Sequence, residues 1–176
     1  MLYLLRHGET EENVRHILQG QTHGTLTALG RQQAAEAARE LMDVPFDVML
    51  CSDLKRCVDT ANIIRDTWAT LGRTILPTLS LTPLLRERDW GSATGMVVDK
   101  DHRITIPPDV ESIKAVKERA RIFLDFVART YAGKNVLAVS HGFFCRIIQT
   151  VYHNVEIPDI QPMKNSEVRM LDLSDS

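Results

Sequence analysis

Two histidines, each followed by glycine and each ending a short apolar run, are the residues of this chain best suited to chemistry. His7 ends Leu4-Leu5-Arg6-His7-Gly8, and His141 ends Ala138-Val139-Ser140-His141-Gly142. A third run closes as Leu50-Cys51-Ser52-Asp53, with Arg56 just beyond it. If these runs are strands, all three deliver their polar residues to one sheet edge. Ligands of open α/β sheets bind at that edge, where helix N-termini point N–H groups at anions. Two histidines and two arginines, Arg6 and Arg56, then suit a phosphoryl group. Arginine offers a fixed fork of donors to phosphate oxygens. A neutral imidazole can attack phosphorus. The second histidine, if protonated, can share the charge that grows on the equatorial oxygens. Gly8 and Gly142 let the backbone come close without a Cβ in the way.

Such a site needs strands to aim it. Leu2–Leu5, Asp47–Cys51 and Asn135–Val139 are nearly continuous in apolar residues, as a sheet covered on both faces requires. The stretch 167–173 alternates more, which predicts an edge strand. Between these runs lie helical patterns. Thr27 can cap a helix through about Met42. Asp53 can cap another, with Leu54, Val58, Ala61, Ile64, Trp68 and Leu71 on its apolar face and Gly72 as its stop. Ser112 can open a third, closed by Gly133, and a fourth follows Gly142 as far as His153. Strands alternating with such helices predict an α/β fold, a three-layer α/β/α sandwich on a mostly parallel sheet. Residues 77–85 and 91–109 read as loop, with room for a short strand.

Composition bounds the partners. The chain has 176 residues, 44% of them hydrophobic, which suits one domain with a real core. Its formal net charge of −2 supplies no general field for nucleic acid or anionic lipid. An anionic substrate therefore needs a local cluster of cations. Cys51, Cys57 and Cys145 are odd in number and lack a Cys-x-x-Cys spacing, so a reducing compartment is expected. No signal peptide or membrane span is legible, and a cytoplasmic protein is expected.

The motifs also carry a resemblance. Leu5-Arg6-His7-Gly8-Glu9-Thr10-Glu11-Glu12-Asn13 resembles the signature of the histidine phosphatase superfamily, in its phosphoglycerate-mutase-like branch. Four further stretches are similar to that family in the same order. They are Gln19-Gly20 with Leu26 to Ala34, Ser52 to Arg56 with Thr60-Ala61, Leu85 to Gly91, and Val139-Ser140-His141-Gly142. The resemblance implies that His7 becomes phosphorylated and that Arg6, Arg56 and His141 hold the phosphoryl oxygens. It implies that Glu87 protonates the leaving oxygen and later helps activate water. It places Asn13, Gln19, Gly20 and Gly142 near the phosphate. It implies no metal and no cofactor. Some positions depart from the family pattern: His23, Thr25, Cys57, Thr94 and Phe143 replace residues common among its members. None is one of the catalytic residues.

The resembled family contains phosphatases and phosphomutases. The chain between Glu87 and His141 leaves only a short lid, at about 94–111, and lacks the longer insertion of the mutases. A phosphatase for a small phosphorylated metabolite is therefore expected. A mutase, kept open by Arg88 beside Glu87, and a non-catalytic phosphate-binding relative are the alternatives. Lys100, His102 and Arg103 in the lid read as a solvated charged loop, with contact to an anionic tail as the second option. A cysteine phosphatase is disfavoured because no cysteine precedes a glycine-rich loop and an arginine at the needed spacing. A zinc site at the two histidines would be opposed by the flanking arginines. Oligomeric state is not legible.

Overall fold

Five short strands form one sheet: β1 (Leu2–Arg6), β2 (Val48–Ser52), β3 (Thr78–Thr82), β4 (Val136–Ser140) and β5 (Val168–Leu171). The computed structural model describes residues 1–98 and 105–174. The strand order is β3-β2-β4-β1-β5. The first four run parallel, and β5 lies antiparallel against β1 at the edge. Every residue of β2 and β4 is buried, which explains their continuous apolar sequences.

Successive strand residues point to opposite faces, and each face receives its own pair of helices. Leu5, Met49, Cys51, Leu137 and Val139 pack under α2 (Ala28–Glu40) and α3 (Lys55–Thr70). Leu4, Leu50, Val136 and Ala138 pack under α4 (Ile113–Thr130) and α5 (Gly142–His153). The result is the expected α/β/α sandwich. Among the described residues no helix is long and apolar enough to cross a membrane.

Helix starts follow local chemistry. The Thr27 hydroxyl accepts from the Gly30 N–H at 2.9 Å, and the Ser112 hydroxyl accepts from Ala115 at 3.1 Å. Asp53 does not cap α3. Leu54 holds that position without a side-chain bond, because Arg86 takes both Asp53 oxygens at 2.7 and 2.6 Å. Leu71 is also not part of the buried face; it lies beyond the last turn and is half exposed. Residues 77–85 contain a full strand, β3, followed by a 3-10 turn at Pro83–Leu85. A four-residue helix, α1 (Glu11–Val14), was not foreseen. Thr10 and Asn13 close it by bonding each other's backbone N–H.

Residues 96–98 are docked on the β1–α2 connection. Val97 bridges Ile17, the Leu18 N–H donates to the Met96 carbonyl at 2.9 Å, and Val98 donates to His16 at 2.8 Å. Lys100, His102 and Arg103 lie outside the described residues.

Gly8 is needed for a close approach, but to protein rather than to ligand. A Cβ at Gly8 would stand 2.3 Å from the Gly30 carbonyl oxygen, and one at Gly30 would stand 2.0 Å from the Glu9 carbonyl oxygen. Both neighbours are backbone and cannot turn aside. Gly30→Ala should therefore lower stability by about 1–3 kcal/mol, read as a shift in the urea midpoint. An unchanged midpoint would show that the loop relaxes freely.

Candidate active site

Register brings the two histidines together. Arg6 of β1 pairs with Ser140 of β4, so His7 and His141 leave the sheet as neighbours. Their ring centroids are 5.3 Å apart. The backbone N–H of His7 still donates to Ser140, at 2.9 Å.

The protonation of each ring follows from its partners. His7 Nδ1 lies 2.7 Å from the Gly8 carbonyl oxygen. A carbonyl only accepts, so Nδ1 carries the proton and Nε2 keeps its lone pair. Burial first, then Arg56 and Arg6, push the His7 pKa well below the ordinary 6.5. The ring is neutral, with Nε2 ready as a nucleophile.

His141 is also neutral, in the other tautomer. Arg56 Nε donates to His141 Nδ1 at 3.1 Å, and His141 Nε2 lies 2.8 Å from the Ser52 hydroxyl. A guanidinium cannot accept, so Nδ1 must, and Nε2 donates to Ser52. Burial, Arg56 and His7 push this pKa well down. The charge-sharing role open to a protonated His141 is therefore not available in this arrangement. A proton on Nδ1 would set two N–H groups against each other. His141 is fully buried and backs His7 rather than lining the cavity.

The two arginines differ in what they have free. Arg56 is 1% exposed and spans the site. Its Nη2 donates to the Gly20 carbonyl at 2.8 Å, and its Nη1 donates to Thr22. Arg6 Nη1 donates to the Met163 carbonyl at 2.6 Å, while its buried Nε has no partner. An orphaned buried donor costs about 1–3 kcal/mol, a cost that an anion in the cavity would remove. A Cβ on Gly142 would lie 3.0 Å from that same Nε. The close approach foreseen for Gly142 is thus to the Arg6 guanidinium.

Glu87 is held from several sides. Its carboxylate accepts from the backbone N–H groups of Arg88, Phe143 and Phe144 at 2.8, 3.1 and 3.0 Å. The last two begin α5, where a carboxylate also meets the positive helix end. Arg119 of α4 donates to the carbonyls of Leu84 and Arg86 at 3.1 and 2.6 Å and is itself paired with Glu111. The Ser140 hydroxyl donates to Leu85 at 2.7 Å. A loop carboxylate is thereby held by bonds from α4, β4 and α5.

These groups share one cavity of about 310 Å³, lined by Arg6, His7, Asn13, Gln19, Gly20, Arg56, Glu87 and Gly142 among others. Asn13 Oδ1 accepts from Thr10 and from Asn165, which leaves its NH₂ for the cavity. Gln19 donates to Thr10, and its buried oxygen has no partner. All the site residues expected from sequence meet here, His141 from behind. Sequence reasoning missed Ser52, Asn165 and the apolar wall of Trp90, Phe143 and Met163. Ser52 stood inside a noted motif, but Asn165 gave no signal.

Comparison with known proteins identifies the family. The description "Histidine phosphatase superfamily (branch 1)" matches residues 2–175. The chain is 34% identical over 142 residues to the uncharacterized phosphatase PhoE of Bacillus subtilis, covering 79% of this chain and 70% of that one. It is 38% identical over 139 residues to fructose-2,6-bisphosphatase TIGAR B of Danio rerio. That match covers 70% of this chain but only 51% of TIGAR B. The solved structure of YhfR from Bacillus stearothermophilus superposes with a TM-score of 0.83 at 26% identity, covering 95% of this chain and 88% of that one.

Proposed function

Since this chain belongs to the histidine phosphatase superfamily, branch 1, we propose that it hydrolyses a small phosphomonoester without metal, by way of a phosphohistidine at His7. The observation that carries this reading is the His7 tautomer. The Gly8 carbonyl holds the Nδ1 proton, so the Nε2 lone pair is available beside Arg6 and Arg56.

In the first step His7 Nε2 forms a bond to phosphorus as the ester P–O bond breaks. Glu87, which must enter this step protonated, gives that proton to the leaving oxygen and is left as the carboxylate. Arg6 Nε and the remaining Arg56 donor hold the equatorial oxygens, where preorganised donors act most strongly. In the second step water attacks phosphorus, Glu87 takes its proton, and the N–P bond breaks to release inorganic phosphate. Relatives named as phosphatases support hydrolysis, and relatives named as phosphoglycerate mutases, 34% identical over 158 residues in one case, keep mutase chemistry as the second reading. The three free, buried thiols suit a reducing cytoplasm. We read the chain as one domain with a small lid at about 94–111.

The test is p-nitrophenyl phosphate in excess EDTA. Steady nitrophenol release is expected, unchanged by added divalent metal. Activity that appears only on adding metal would overturn the mechanism. Transfer to an added hydroxy-acid acceptor faster than to water would move the chain to the mutases.

A further inference from the structure

The cavity holds one more cation than the phosphoryl group needs. Arg146 lies on α5 one turn after Gly142, about 6 Å further along the helix axis, and lines the same cavity as His7. Its Nε donates to the Ile160 carbonyl at 2.6 Å. This ties its stem to the segment that carries Pro162 and Met163 of the cavity wall. That bond uses one of the five guanidinium N–H groups. The other four have no protein partner among the described residues.

The surrounding framework treats its arginines differently. Arg86 is paired with Asp53, Arg119 with Glu111, and Arg169 with Glu167. The cavity arginines Arg6, Arg56 and Arg146 have no carboxylate within ion-pair distance among the described residues. Arg6 and Arg56 stand at the neutral His7 and answer the two charges of a phosphomonoester. Arg146 is half-buried, beside Phe143 on its own helix and Met163 opposite. A half-buried cation beside apolar side chains interacts more strongly with an anion than a solvated one does.

We infer that Arg146 binds a second anionic group on the substrate. The preferred substrates are then small phosphomonoesters that also carry a carboxylate or a second phosphate. This rests on the phosphatase reading above and specifies its substrate class.

The test uses matched pairs. 3-Phosphoglycerate and glycerol 3-phosphate differ by a carboxylate in place of a hydroxymethyl group. Propane-1,3-diyl bisphosphate and propyl phosphate differ by the second phosphate. The wild type should favour the more charged member of at least one pair by about 10- to 100-fold in kcat/KM, through KM. The pair that shows the preference identifies the anion. Arg146→Gln should abolish the preference and leave the less charged members within about threefold. Arg146→Lys, which keeps the charge and serves if the glutamine variant folds poorly, should retain part of it. No preference in either pair, a preference that survives Arg146→Gln, or an equal loss on all four compounds would overturn the assignment. If the wild type hydrolyses none of them and no p-nitrophenyl phosphate either, the phosphatase reading fails separately. Calorimetric titration of the same compounds into wild type and Arg146→Gln then reads the subsite through the ratio of Kd values.

Discussion

His7→Ala should abolish turnover of every phosphomonoester, by roughly 10⁴-fold or more in kcat, because among the described residues no other histidine and no cysteine, serine, threonine or tyrosine lines the cavity. Rapid quenching of the wild type with ³²P-labelled substrate should trap protein-bound phosphate that is acid-labile and base-stable. The variant should trap none. The same variant should still bind inorganic phosphate, since Arg6 and Arg56 take their positions from carbonyls and not from His7. Residual turnover within tenfold of wild type would mean that water attacks phosphorus directly. The pH behaviour is a second signature. Burial and two arginines lower the His7 pKa, so the neutral, nucleophilic form persists as pH falls through 6.5. A solvated histidine would be half protonated there. Nitrogen-15 spectra should show His7 still neutral at pH 6. A titration midpoint near 6.5 would contradict the burial and the charge environment described here.

The parts of this fold that were legible in sequence are those set by local pattern. β1, β2 and β4 are covered on both faces, and their runs are accordingly apolar throughout. Thr27 and Ser112 mark helix starts because a hydroxyl there meets a free N–H three residues on. β3 was harder to read, since Thr78–Thr82 alternates polar and apolar residues at a half-exposed edge. α1 is too short for periodicity and depends on the Thr10–Asn13 exchange. Asp53 looked like a cap because nothing local reveals that Arg86, far along the chain, will claim it.

The site divides in the same way. His7, His141, Arg6 and Arg56 could be placed from strand ends alone. The charge state of His141 could not, because it depends on which nitrogen faces Arg56 and on Ser52 beneath the ring. Glu87 was marked only by the family resemblance, as its position rests on bonds from α4, β4 and α5 that converge on one loop. Arg119 and Glu111 belong to that support. Arg119 also lies 4.1 Å over the Phe144 ring and so links the loop to the first turn of α5.

That support makes Glu87→Gln an informative variant. Phe143 and Phe144 donate to different oxygens of Glu87, so an amide oxygen can keep one of these α5 N–H groups while its NH₂ is turned against the other, and some stability should be lost. The catalytic loss should be separable by leaving group. Alkyl phosphates leave as strong bases and need the proton, so kcat/KM on glycerol 3-phosphate should fall by about 10²- to 10⁴-fold. p-Nitrophenol is acidic enough to leave as its anion, so kcat/KM on its phosphate should change little. kcat/KM reports only the steps through formation of phospho-His7, which isolates the acid role. Water attack on phospho-His7 also uses Glu87, so the variant should release a burst of nitrophenol close to one equivalent and then turn over slowly. Equal losses on both substrates, with no burst, would show that Glu87 acts only by holding the start of α5. The proton donor would then have to be sought among the other groups that line the cavity.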